Sequence, residues 1–244
     1  MISNKRAFVV LLLLLSLSAA IFCVEKKFLI SEPRGAMISN YDEVAGIKEI
    51  ILLVEDFEGF VKGTKMPPKE NFFDFGNIKT SIDYSSVDNS AISLKSALRA
   101  EWKGTDTFGG WGKGIGANID LDTLTDYLNF RVLFPKENIK EDNIKVMLEE
   151  DDNDDGVLQK DKDDAWSCSV NISTGNEWQM VSIPLKNFKD DNEGGDHRFN
   201  VTRKGGLHTI IFSFLNSDKY VAGQKWFFDF ICFSKGKIKE MSNN

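Results

Sequence analysis

Along most of the chain, apolar and polar residues alternate in short runs, and clusters of Gly, Asn and Asp separate the runs. The pattern is clearest in DYLNFRVLF. There Tyr127, Asn129, Arg131 and Leu133 fall on one face of an extended strand, and Leu128, Phe130, Val132 and Phe134 fall on the other. Comparable runs are IILLVEDFEGF, NIKTSIDYSS, AISLKSALRAEW, NIKVMLEE, AWSCSVNI, WQMVSIPL, LHTIIFSFLN and KWFFDFICFS. Beyond the first two dozen residues nothing sustains a helical period. Roughly eight to ten strands bounded by turn residues predict an all-β fold, a jelly-roll β-sandwich over 49–238.

The first residues follow a different pattern. Lys5 and Arg6 precede the apolar run AFVVLLLLL and then SLSAAIFC, so 1–23 reads as an export signal. The run is shorter than the roughly 20 residues a bilayer crossing needs. Cys23 directly follows the apolar region, where a lipoprotein signal places its acylated cysteine, and a lipid there would tether the protein to a membrane face. Phe22 departs from the small residue usual before such a cysteine, and cleavage after Ala19 or Ala20 is the competing reading. Residues 24–48 carry no sustained period and contain Pro33, Gly35 and Gly46, which suits a spacer.

Composition narrows the partners. Losing Lys5 and Arg6 with the leader leaves 28 basic side chains against 37 acidic ones, a net charge of −9. Such a surface repels nucleic acid and anionic lipid heads and favours neutral ligands, glycans among them, or cations. Oligomeric state leaves no mark on the sequence. Export would permit a disulfide between Cys168 and Cys232, but Cys232 within WFFDFICF reads more simply as a buried small hydrophobe.

Several of these runs, in this order, resemble the non-catalytic carbohydrate-binding β-sandwiches of the galactose-binding-domain-like superfamily, family 11 modules in particular. VEDFEGF looks like their first strand, SLKSALRAEWKGTDTFGGWGKGIG like a strand followed by a Gly/Trp-rich loop, and LTDYLNFRVLF like the strand after it. NEWQMVSIPLKNF and KWFFDFICFS resemble the later elements, and the likeness covers about 50–236. It implies a surface protein that binds a polysaccharide or oligosaccharide without cleaving it. It also implies a structural calcium between the first and last strands, held by Asp56 or Glu58 and by Asp229. The same scaffold docking a partner of a surface complex is the alternative, and a glycoside hydrolase is a more distant one.

Catalytic chemistry is poorly represented. His197 and His208 stand in unrelated surroundings, and neither G-x-S-x-G nor H-E-x-x-H occurs. Sugar recognition needs flat aromatic faces with polar groups nearby. Trp111, flanked by glycines in FGGWGKGIG, and Trp102, ending a strand, are the candidates, with Tyr127 and Arg131 as hydroxyl partners; a glycine bulge that packs Trp111 as a lid over the sandwich is the equal alternative for that residue. Trp178 and Trp226 read as core. In EEDDNDDGVLQKDKDD, Asp151, Asn153 and Asp155 take positions 1, 3 and 5 of a calcium loop, with Gly156 at position 6. Position 12 is Lys162 rather than Glu, and β-like runs flank the segment. It reads as a hairpin tip, either solvated or holding a second calcium through Asp151, Asn153 and Asp155.

Overall fold

The computed structural model describes residues 50–58, 60, 63, 71–84, 96–104, 107–135, 141–175, 177–202, 206–215 and 217–238. The export signal, Cys23 and the 24–48 spacer lie outside the described residues.

Twelve strands, and no α-helix among the described residues, build two antiparallel sheets. In chain order they are β1 (Ile50–Glu55), β2 (Phe72–Gly76), β3 (Ile78–Tyr84), β4 (Ser96–Trp102), β5 (Gly109–Ala117) and β6 (Asp126–Leu133). The rest are β7 (Glu141–Glu150), β8 (Ala165–Ser173), β9 (Gln179–Pro184), β10 (Lys189–Asp190), β11 (Leu207–Phe214) and β12 (Lys225–Lys235). The first sheet runs β3-β4-β12-β6-β9, with β1 also paired to β12. The second runs β10-β8-β7-β11-β5-β2. The chain crosses repeatedly between the sheets, as the predicted sandwich requires.

The alternation of β6 is realised as read. Leu128, Phe130 and Val132 are fully buried between the sheets, and Phe134 just beyond the strand is 1% exposed. Aromatic rings dominate this interior. Trp111 of β5 stacks on Phe212 of β11 at 4.6 Å and meets Phe228 of the opposite sheet edge-on at 5.2 Å, while Phe130 meets Phe212 at 5.1 Å. At one end Asp142, 1% exposed, accepts hydrogen bonds from Tyr220 Oη (2.6 Å) and Trp226 Nε1 (3.0 Å), which offsets the cost of burying its charge.

Lys113 fastens the sheets at another edge. It points inward from β5, bonds the Val54 carbonyl and the Glu55 carboxylate of β1, and lies 4.7 Å from the Phe72 ring centroid. Replacing Lys113 with Met is expected to cost about 1–3 kcal/mol, because Glu55 is then left buried without its cation. Adding Glu55→Gln should recover part of the loss. Chemical denaturation of the single and double variants measures this, and a double variant as unstable as the two losses summed would refute the coupling.

The middle of β12 is irregular. Its first half pairs β4, its second half pairs β1 on the same edge, and β6 lies along the other edge. Between Asp229 and Cys232 the register with β6 slips, and Phe230 takes a φ of +47°. This bulge turns Phe230 and Cys232 into a second small apolar cluster with Ile238, packed against Ile50, Leu53 and Met180. Cys232 is thus buried in this outer cluster, whereas Cys168 on β8 packs against the main core, and both are free thiols.

Candidate functional site

The outer faces of the two sheets differ. On the first sheet, Asn129 is 0%, Asp229 3% and Arg131 8% exposed, and the small cluster around Phe230 covers the neighbouring surface. The second sheet presents an open outer face. The pairing sets Phe73 and Phe75 of β2 opposite Gly112 and Gly110 of β5, then Ile211 and Ser213 of β11, Met147 and Lys145 of β7, and Ser167 and Ser169 of β8. Inward residues alternate with these, Phe72, Trp111, Phe212 and Val146 among them.

The two phenylalanines form a platform. Their ring centroids are 6.4 Å apart with planes 31° from each other, and Phe73 is 40% exposed. The platform depends on glycine beneath it. A Cβ at Gly112 would overlap the Phe73 ring, and one at Gly110 would overlap the Phe75 ring. Gly110 and Gly112 therefore let two aromatic rings lie over the backbone of β5 with their far faces available to a ligand. Across the sheet the face turns polar, with Ser169 and Asn171 exposed and Lys145 bonded to Asp191.

This geometry revises the aromatic expectations. FGGWGKGIG is for the most part a strand rather than a loop, and Trp111, 0% exposed, points into the sandwich from the opposite side of β5. Trp102, 2% exposed, also faces inward, 4.9 Å from Tyr220. Neither offers a face to a sugar, because alternation along β4 and β5 commits each to the core. Tyr127 and Arg131 do share a face, but it is the covered one. Arg131 is engaged there with Asp229 and lies 5.2 Å over the Trp178 ring, and Tyr127 is half-buried. Trp226 is core, as expected.

The structure also describes the acids named as calcium ligands. Asp56, Glu58 and Asp229 approach one another at the β12 bulge. Burial holds the Asp229 carboxyl well above the usual carboxylate range, Arg131 pulls it back, and Glu58 and Asp56 push it further up. The Phe230 amide donates to Asp229 Oδ1 (2.7 Å), the Glu58 amide to Asp56 Oδ1 (3.0 Å) and the Ser96 amide to Glu58 Oε1 (3.0 Å). Among the described residues these three carboxylates do not bring their oxygens within 4.8 Å of one another, and Arg131 meets part of the charge.

The acidic segment is a hairpin tip, as read: β7 and β8 pair up to Glu149 and Ala165. Of the ligand set read from the loop count, Asp151 and Asn153 converge on the Asp155 amide. Asp151 accepts from the amides of Asp155 (3.2 Å) and Gly156 (2.8 Å), Asn153 accepts from Asp155 (3.0 Å), and Asp155 accepts from Val157 (2.9 Å). These side chains shape the turn. The neighbouring Glu150, Asp152 and Asp164 gather on the inner side instead. Burial raises Glu150 to about 8 and Asp152 to about 6, and it raises Asp164 as well; repulsion from nearby acids, Asp196 among them for both aspartates, adds to each.

Comparison with known proteins gives the fold and family. No curated protein matches the sequence. Among solved structures, an arabinose-bound α-L-arabinofuranosidase matches with a TM-score of 0.51 and 13% identity, over 80% of this chain and 28% of that one. A family 11 carbohydrate-binding module from Clostridium thermocellum, in complex with a β-1,3-1,4-mixed-linked tetrasaccharide, matches with a TM-score of 0.49 and 17% identity, over 77% of this chain and 96% of that one. A family 30 carbohydrate-binding module gives 0.46 and 14%, over 77% and 91%. The family model for the surface glycan-binding protein B xyloglucan binding domain matches residues 35–232, beginning within the stretch read as spacer. The chain belongs to that family and is a glycan-binding β-sandwich module.

Proposed function

We propose that the module binds a neutral β-glucan chain, xyloglucan foremost, across the outer face of the second sheet and does not cleave it. The observation that carries this reading is the Phe73–Phe75 platform on the glycine strand, continued by serine hydroxyls on β8. The apolar C–H faces of successive sugars would lie on the rings, and their hydroxyls would meet the polar side of the face. The family's name supplies the polymer, and the negative surface poses no obstacle to an uncharged one. Affinity electrophoresis through gels containing xyloglucan, mixed-linkage glucan or xylan tests it. Retardation by xyloglucan with no release of reducing sugar is expected, and migration indifferent to all three polymers would end the proposal.

The family is a surface one, so the module acts outside the cell. Acylation of Cys23 would keep it at the membrane, and Cys23→Ser should then shift the protein from the membrane fraction to the soluble one. Calcium at Asp56, Glu58 and Asp229 is a further part of the reading, and its role would be structural.

A further inference from the structure

The strongest unused feature lies beneath the β7–β8 hairpin, where Asp152, Asp164 and Asp196 each bring one carboxylate oxygen within 4.8 Å of the others. Acidic clusters are common on surfaces, but this one is not confined to the surface. Asp164 is 0% and Glu150 2% exposed, and Glu150 is close enough to Asp152 and Asp164 to feel both charges. Each of the three is held by one oxygen. Glu150 Oε2 accepts from the Asn200 amide (2.9 Å), Asp152 Oδ2 from the Asp164 amide (2.8 Å), and Asp164 Oδ2 from the Arg198 amide (3.2 Å). The second oxygens of Asp152 and Asp164, Oδ1 in each, are buried and have no hydrogen-bond partner, while Glu150 is met by the Trp166 indole, whose Nε1 is buried without any other acceptor. A buried carboxylate oxygen without a donor is costly, and two within one acidic cluster are more so.

We propose that this pocket is a calcium site built from Glu150, Asp152, Asp164 and Asp196. Asp152 and Asp164 each offer one anchored and one open oxygen, the way a protein presents ligands to a hard cation, and Asp196, held by Arg198 and Asn200, brings a third carboxylate alongside them. Close packing supports the cage: Gly195, at φ +79°, lies against the Asp164 carboxylate, where any side chain would overlap it. The neighbouring group of Asp164, Asp190 and His197 does not turn the site toward zinc, because His197 Nδ1 is committed to Asp190 and the open atoms are all oxygens. A bound ion would tie the hairpin tip to the 195–200 segment, so the site is structural. The rival is that the carboxyls share protons and take no metal.

The test is calcium titration of the EDTA-treated, desalted full chain, followed by heat release and by melting. Addition of CaCl2 is expected to raise Tm by roughly 5 °C or more. Asp152→Asn, at a half-buried position that tolerates the change, should weaken calcium affinity at least about tenfold. Asp164→Asn should do the same, and far-UV circular dichroism checks that each variant is folded. Asp229→Asn separates this site from the β12 bulge and should leave this binding event in place. Parent protein that neither releases heat nor melts higher with calcium overturns the proposal. So does a folded Asp152→Asn chain that binds calcium with unchanged stoichiometry and affinity.

Discussion

Replacing Trp111 with Ala is expected to lower stability by about 3–5 kcal/mol, the usual cost of removing a large aromatic side chain from a core. For a domain of this size that is a fall in Tm of roughly 10 °C. The indole has 0% exposure and contacts Phe212, Phe228, Phe57 and Phe72, so its loss opens a cavity shared by both sheets. Its Nε1 has no partner, so Trp111→Phe removes an unsatisfied donor as well as volume and should cost less than Ala. Below the transition the folded Ala variant should still bind glycan, because Trp111 lies on the opposite side of β5 from the platform. Calorimetry and affinity gels on one preparation decide the matter. A variant that melts like the parent yet no longer binds would make Trp111 a ligand contact after all.

The double change Phe73→Ala/Phe75→Ala should have the reverse profile. Truncating an aromatic anchor at the centre of a binding surface commonly costs 2 kcal/mol or more, about a thirtyfold loss of affinity. The rings sit on the outer side of an edge strand, one of them 40% exposed, so stability should change by only about 1 kcal/mol. Isothermal titration with xyloglucan oligosaccharides reads the first quantity and a thermal melt the second. Affinity within twofold of the parent would move the binding surface off β2. Exchanging Phe73 for Trp, which keeps a flat face, should preserve binding where Ala does not.

These opposite profiles trace what local pattern conveys. Alternation in DYLNFRVLF separated the two faces of β6, and NIKVMLEE and LHTIIFSFLN read as the strands they form, because each strand carries its own period of two. β5 was hidden, since Gly110, Gly112 and Gly114 are poor strand formers and look like a loop. Gly110 and Gly112 make room for residues some 35 to 40 positions earlier, the phenylalanines of β2, and nothing within β5 signals that partnership. β2 itself is five residues long, and in FFDFG the adjacent Phe72 and Phe73 face opposite ways. In the acidic segment parity separates two sets of acids. Counting a calcium loop from Asp151 selects odd positions, but β7 sends Ile144, Val146, Leu148 and Glu150 inward. The even positions Glu150 and Asp152 therefore reach the pocket, while Asp151, Asn153 and Asp155 cap backbone amides. Asp164 and Asp196 join them only through folding.

The divided partnership of β12 has a consequence for how the module is carried. Because β1 pairs with the second half of β12, Ile50 sits opposite Ser234, and the sandwich is entered and left at neighbouring points of one sheet. Any flanking segment attaches there, on the layer whose outer surface is already covered. The aromatic platform belongs to the other layer. A load applied at these two points would therefore fall first on the β1–β12 pairing and leave the layer that carries the platform unstrained.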